Sequence, residues 1–525
     1  MTDNRFRRLP VGIQSFKVIR EENYLYVDKS DIVWKMVNLG DKYNYLSRPR
    51  RFGKSVLVDT LESYLEGRKD LFEGLKIMQL EKDWKQYPVI RLDMSRGGAN
   101  EDTLRSYLNL RFKDYEEKYN ITPDPTAMLA DRFHAIIATA YKQTGLRVAV
   151  LIDEYDSPLQ HSWRTPEHEK CTGVYREVFA ILKADDEYEH FIFITGITKF
   201  TQISLFSVLN NLSNISFMPE YAAICGITEE EIKENFMPEL KQMSEANNWS
   251  VQETHDRLKA YYDGYHFSRR NMVDVYNPYS LVNALKSKEI INFWASSGAT
   301  SLLPKFVDNA ELRMKNFEHC RIMRNTLELS DVSGGGAELF LYQSGYLTIK
   351  DSDEFGYILG FPNEEVKQAL YEMALPALTL RAKSDIQSIQ ANLYAQLGTG
   401  QIDEAMKSLK ALIADVPYSN KKLASMDMEE RYRLIISTIL NAIGLNVEVE
   451  KMISTGRIDM TVKTSRYIYV IELKLRNNGG KDAATEQILN RQYMEPFKAD
   501  KRKVIGLGIE LDENGKGLLD WKRAE

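Results

Sequence analysis

Residues 43–57 read YNYLSRPRRFGKSVL, and this stretch decides how the first half of the chain is built. Residues 43–46 form a short apolar run of strand type. A turn follows over 47–53, and from Lys54 and Ser55 a helical period runs through Val56, Leu57, Thr60, Leu61, Tyr64 and Leu65. A Gly-Lys-Ser triplet between a strand and a helix is how a phosphate-binding loop ends. Gly53 lets the backbone approach an anion, and the first helical amides and the positive end of the helix dipole point at it. Lys54 then reaches the β- and γ-phosphates, and the Ser55 hydroxyl ligates Mg²⁺. Arg48 occupies the place of the usual first glycine, so the entry turn differs. Arg48, Arg50 and Arg51 are candidates for contacts with phosphate or a neighbouring domain. The whole loop, with Pro49 and Phe52, is read as the nucleotide-binding segment.

Working outward, residues 88–93 (PVIRLD), 147–153 (RVAVLID) and 190–195 (HFIFIT) are further apolar runs suited to a parallel sheet covered on both faces. The run VAVLIDEYD at 148–156 ends in adjacent acids, as a Walker B strand does. Asp153 is expected to hold Mg²⁺ through water and Ser55, and Glu154 to orient or deprotonate the attacking water. The bland alternative is a buried strand with an acidic end; the two motifs in the right order weigh against it. After the next strand, Thr195, Thr198 and Lys199 are candidates for a γ-phosphate sensor, with a plain turn as the alternative, and Thr198 is carried forward.

Residues 228–285 turn helical. Thr228 and Glu231 have capping-box spacing for one helix, EEEIKENFMPELKQM. The aromatic segment 261–267 is read as packing rather than base stacking. Residues 286–350 hold a Gly triplet at 334–336, read as a turn, and FLYQSGYLTIK, read as helix and strand of a winged-helix-like unit. Residues 363–420 are helical without a catalytic signature. A second α/β pattern begins near Met426. The expected division is therefore 1–225, 226–350, 351–424 (a helical linker) and 425–525.

The last hundred residues carry the sharper chemistry. GRIDMTV at 456–462 is a strand opening with Asp459, and YIYVIELKL at 467–475 is a second strand carrying Glu472 and Lys474. Residues two apart emerge on one face of a strand, and Asp459 meets them if the two strands pair as a hairpin. Asp459 and Glu472 suit Mg²⁺ (or Mn²⁺) in a phosphodiesterase, with Lys474 orienting the water or stabilising the phosphorane. A helix, EERYRLIISTILNAIG, precedes the pair and another, EQILNRQYMEPF, follows. The alternative is an exposed ion pair on an edge strand.

VGIQSFKVIREENYLYVDKSDIVWKM, YLSRPRRFGKSVLVDTL, VLIDEYD, TGITKF and LFSVLNNLSNIS together resemble the bacterial AAA-ATPase-like domain family, as do YDGYHF, VYNPYSLVNAL and LFLYQSGYLTIK. The likeness covers roughly residues 5–350, makes RPRRFGKS the family's own Walker A form, and implies ATP binding. The C-terminal arrangement resembles the PD-(D/E)XK nuclease superfamily over roughly 425–522. That resemblance implies an auxiliary acid at Glu430, with Glu429 its close competitor, and a supporting Gln487 near Tyr493. The fold class expected is α/β: an AAA-like P-loop sheet domain, a helical and winged-helix-like middle, and a restriction-endonuclease-like α/β domain.

Composition bounds these readings. A chain of 525 residues implies several domains, and 43% hydrophobic with 27% charged residues is a soluble globular balance. Cys171, Cys225 and Cys320 are too scattered for a disulfide framework or metal cluster, and the seven histidines lack ligand spacing. No apolar stretch approaches a membrane span, so a cytoplasmic address without a membrane partner is expected. The net charge is −6, and residues 426–525 are close to balanced, so any grip on nucleic acid needs a face focused by folding, the middle region, a partner or a second subunit. The function expected is ATP-regulated, metal-dependent cleavage of nucleic acid. The alternative is an ATP-dependent signalling or assembly switch whose nuclease fold only binds nucleic acid or a protein.

Overall fold

The computed structural model describes residues 7–124, 126–200, 211–296, 317–330, 336–379, 383–414 and 427–524. They form two compact units, one containing the residues up to 296 with 317–363, the other containing 364–524.

The first unit is built on five parallel strands: β1 (Tyr43–Ser47), β2 (Val89–Asp93), β3 (Val148–Asp153), β4 (Glu189–Gly196) and β5 (Ser213–Asn214), in the spatial order β2-β3-β4-β1-β5. All six residues of β3 are buried, which is why the sequence shows unbroken apolar runs there rather than alternation. The four longer strands start and stop within one residue of the expected bounds. Register sets Asp93 beside Asp153 and Ser47 beside Gly196, so the carboxyl ends finish level, the edge where open α/β sheets bind ligands. A helix starts directly after the loop, Lys54–Leu65, behind Gly53 at φ +86°, a left-handed conformation that glycine adopts without strain.

Thr228 and Glu231 form the expected capping box. The single helix expected behind it is broken, however, into Glu229–Asn235 and Met237–Asn247. Pro238 has no N–H to donate to the preceding turn and instead opens the second helix. The aromatic segment turns inward, with Tyr262, Tyr265 and Phe267 all buried. A small antiparallel sheet, β6 (Cys320–Met323), β7 (Thr348–Ser352) and β8 (Gly356–Gly360), has the order β6-β8-β7, and the helix Gly336–Ser344 precedes β7. Gly334, Gly335 and the 205–210 part of LFSVLNNLSNIS lie outside the described residues, as does the expected boundary at 424/425.

The second unit carries a mixed sheet in sequence order: β9 (Asn446–Ile453), β10 (Gly456–Lys463), β11 (Tyr467–Leu475), β12 (Lys503–Leu511) and β13 (Leu518–Ala524). Only β11 and β12 are parallel, and the crossover this requires contains the helix Gly480–Asn490. That helix starts earlier and ends sooner than expected: Gln492 takes φ +51° and Pro496 follows in a separate short turn. On one sheet face, Ile435, Ile436 and Ile439 of the helix Met428–Ala442 pack with Met460, Ile471 and Leu473. Leu393, Leu409 and Leu412 join the same core, so the stretch expected as a linker supplies core helices. On the other face, Ile468 and Val470 lie with Ile488 and Tyr493. The three cysteines are buried. Among the described residues no helix is long and apolar enough to cross a membrane.

Candidate functional site

The loop after β1 brings Lys54 and Ser55 to the acids at the end of β3. Lys54 is 6% exposed, and its ammonium donates to the carbonyls of Arg48 (2.9 Å) and Pro49 (3.0 Å). Burial lowers its pKa, opposed by Glu154, Asp153 and Asp156. Asp153 is buried, and the Ser55 hydroxyl donates to it. Burial raises the Asp153 carboxyl, while the Ser55 bond and the Lys54 charge pull it back. Glu154 adopts φ +47°, where a residue with a side chain is strained; such strain clusters at functional sites. Burial raises its carboxyl as well, opposed first by Lys54. A cavity of about 520 Å³ is lined by Arg50, Arg51, Phe52, Gly53, Lys54, Ser55 and Glu154, with residues 10–14, Lys29, 224–227 and Tyr279 also on its walls. That volume suits a nucleotide-sized ligand.

Three loop residues stand elsewhere than expected. Arg48 is 1% exposed, and its guanidinium donates to the carbonyls of Ser47 (2.8 Å), Ser216 (2.9 Å) and Tyr221 (2.9 Å) and lies 4.1 Å over the Phe267 ring. Pro49 fills the space a side chain at Gly345 would need, 2.5 Å away. Phe52, though it touches the cavity, packs edge-on against Tyr265 at 4.7 Å. Arg48 and Pro49 do not line the cavity. The turn that a glycine usually makes is held here by a guanidinium bonded to carbonyls. Arg48→Ala is therefore expected to cost roughly 3 kcal/mol or more, because it orphans buried carbonyls, and Arg48→Lys cannot replace the planar fork. Denaturant melts check this; an unchanged midpoint means that Arg48 does not hold the loop.

Thr198, expected as a sensor, is fully buried and does not line the cavity. Its hydroxyl donates to Asp156 (2.6 Å) and accepts from Gln160 (2.9 Å). Asp156 also takes the amides of Ile197 and Thr198 and so fixes the turn after β4. Asp156 closes the VAVLIDEYD run but had no role assigned there, and the cavity-lining Ser157 and His161 belong to no quoted motif.

In the second unit, β10 and β11 pair as far as Met460 and Ile471. The next residues in that register are Asp459 and Glu472, and there the ladder opens: the Leu473 amide donates to the Asp459 carboxylate (2.9 Å), and the Asp459 amide to that of Glu472 (3.5 Å). Asp459 is 7% and Glu472 1% exposed. Burial, and then the Asp459 charge, push the Glu472 carboxyl up to about 8, opposed by Lys474. The Lys474 ammonium lies 3.7 Å from Glu472 and 4.0 Å from Glu429. Gln487 donates to Glu472 and lies 3.4 Å from the Tyr493 hydroxyl. Gly508, opposite Glu472 in the parallel ladder, permits this approach: a Cβ there would come within 2.5 Å of the Thr485 hydroxyl on the same helix.

Glu429, not Glu430, turns to this centre. It accepts from the Leu475 amide (3.1 Å) and the Asn478 side chain (3.2 Å), while Glu430 is exposed one step round the helix. The cue was legible: Glu429 continues the buried stripe Tyr432, Ile436, Ile439, and Glu430 does not. Among the described residues no three of His, Cys, Asp and Glu converge as a metal cage. Two adjacent buried carboxylates nevertheless suit Mg²⁺, which takes one or two such ligands and completes its shell with water and phosphate oxygens. Ser55 and Asp153 offer the same ion a hydroxyl and a carboxylate.

Fold and sites define a P-loop α/β unit followed by a restriction-endonuclease-like α/β unit. The family described as "Predicted AAA-ATPase" matches residues 10–206, and the PD-(D/E)XK nuclease superfamily matches 427–521. A protein of Azotobacter chroococcum mcd 1, called "Uncharacterized protein in vnfD 5'region", is 31% identical over 531 residues, covering 98% of both chains. The chain belongs to the AAA-ATPase-like family that carries a C-terminal PD-(D/E)XK nuclease superfamily domain.

Proposed function

We propose that the chain binds Mg·ATP over Lys54 and cleaves nucleic-acid phosphodiesters at Asp459, Glu472 and Lys474, with the nucleotide regulating cleavage. The observation that carries the nuclease reading is the buried carboxylate pair in the opened ladder, with Lys474 3.7 Å from Glu472. Asp459 and Glu472 would hold a divalent cation, which when bound polarises the phosphate and acidifies water. Lys474 orients that water or stabilises charge on the phosphorane. Gln487 fixes the Glu472 carboxylate, and Glu429 positions Lys474. In the first unit the Gly53 turn and the following amides cradle phosphate, Ser55 and Asp153 hold Mg²⁺, and Glu154 orients water.

The test is cleavage of labelled DNAs and RNAs with Mg²⁺ or Mn²⁺, with and without ATP. Glu429→Ala is expected to lower cleavage roughly tenfold or more, as loss of an outer-shell partner does, and Glu430→Ala to leave it unchanged. The reverse order would return the auxiliary role to Glu430. A second reading, a switch whose nuclease fold only binds, is favoured by the pairing of surface cations: Arg476 with Glu510, Lys481 with Asp520, Lys522 with Asp482. Paired cations grip a polyanion less well. Nucleic-acid or protein binding without cutting under any metal selects that reading.

A further inference from the structure

Arg433 lies one turn after Glu429 on the helix Met428–Ala442 and is not among the groups assigned to either centre. Its side chain is 13% exposed. Nη1 donates to Glu450 at 2.6 Å, and Nη2 makes a charge contact with Asp459 at 3.4 Å. Nε is buried with no acceptor among the described residues. A buried guanidinium normally fills its donors, so the edge formed by Nε and Nη2 is under-used. That edge is the fork that takes two oxygens of an oxyanion side by side.

Glu450 gives an independent pointer. Val449 pairs with Met460 and Lys451 with Ile458, so Glu450 stands opposite Asp459, and by the register of β10 and β11 Asp459 stands opposite Glu472. At this rung Glu450 takes φ +55° in the middle of a strand. A strained backbone of this kind persists only where its surroundings demand it. Here one oxygen of the Glu450 carboxylate, Oε1, holds Arg433 and, at 3.1 Å, Arg457 as well. The strained rung thus fixes a guanidinium beside the carboxylate pair.

We propose that Arg433 is a phosphate-binding residue of the C-terminal centre. Its Nε–Nη2 edge receives the non-bridging oxygens of a phosphodiester, and Glu450 anchors it through Nη1. This rests on the nuclease reading and divides the work within it: Lys474 serves the rate, Arg433 the affinity.

The test uses the full chain and four proteins: wild type, Arg433→Gln, Arg433→Lys and Glu450→Gln. Fluorescence anisotropy with short labelled single-stranded DNA, duplex DNA and RNA, in Ca²⁺, reads binding. Hydrolysis of bis(p-nitrophenyl) phosphate with Mn²⁺ separates KM from kcat, and calorimetry reads Mn²⁺ affinity alone. Both Arg433 variants are expected to bind nucleic acid roughly ten- to a hundredfold more weakly, the loss of charged hydrogen bonds, with KM raised more than kcat falls and Mn²⁺ affinity kept. Glu450→Gln is expected to move in the same direction by less. Unchanged binding in Arg433→Lys, or full rescue by it relative to Arg433→Gln, overturns the bidentate role. Loss of Mn²⁺ affinity with nucleic-acid binding intact makes Arg433 a support for Asp459 and also overturns it. If Arg433→Gln fails to fold, Arg433→Lys, which keeps charge and stem, decides. A wild type that neither binds nor cuts any probe removes the nuclease reading itself, and this inference with it.

Discussion

Lys474→Ala is expected to lower metal-dependent cleavage roughly a hundred- to a thousandfold, the cost of removing one preorganised charge at a developing oxyanion, and to leave ATP binding as it was. Lys474 lies 3.7 Å from Glu472, and Glu429 holds it from the far side at 4.0 Å. Removing it leaves two buried carboxylates without that countercharge, yet the Leu473 amide still holds Asp459 and Gln487 still holds Glu472. The fold is therefore expected to survive the substitution, and a thermal melt beside the cleavage assay separates chemistry from collapse. Cleavage retained at wild-type level in Lys474→Ala would sink the assignment of this centre. Residual cutting in the variant with normal nucleic-acid binding is the outcome that agrees with a rate role.

How much of this was legible depends on how local each cause is. The strand, loop and helix around Gly53, and the apolar run that ends at Asp153, are written within a few residues; such runs gave the four longer strands of the first sheet but only β10 and β11 of the second. The meeting of Asp459 with Glu472 needed only a hairpin, and the short 463–467 connection between their strands makes one. What was not legible is long-range. The carbonyls that hold Arg48 belong to Ser216 and Tyr221, more than 160 residues on, so the sequence alone left it beside phosphate. Thr198 looked free at a strand end because its partner, Asp156, lies on another strand's loop. Arg433 and Glu450 matched no motif; only the register across β9, β10 and β11 aligns Glu450 with Asp459 and Glu472. Glu430 was a different kind of miss, since helix phase already favoured Glu429.

Lys54→Ala is expected to weaken ATP binding roughly a hundredfold or more and to abolish any response of cleavage to ATP, while basal cleavage at Lys474 stays. The ammonium is buried, burial works against its charge, and its bonds are to two neutral carbonyls rather than to a carboxylate. A triphosphate offers it far stronger partners, and each charged hydrogen bond lost is worth roughly 1.5–3 kcal/mol, so two account for the expected loss. The cost to the fold is expected to be smaller than that of Arg48→Ala: the alanine leaves the carbonyls of Arg48 and Pro49 unpaired, but it also removes a charge that burial disfavours. Calorimetric titration with ATP and a thermal melt read the two effects separately. Undiminished ATP affinity would mean that the cavity over Gly53 is not where nucleotide binds. Regulation adds a further demand, because ATP can shift the chain between two states only as far as it binds them unequally. If Lys54→Ala loses ATP but cleavage by the wild type never responds to ATP, the two sites work independently on one chain.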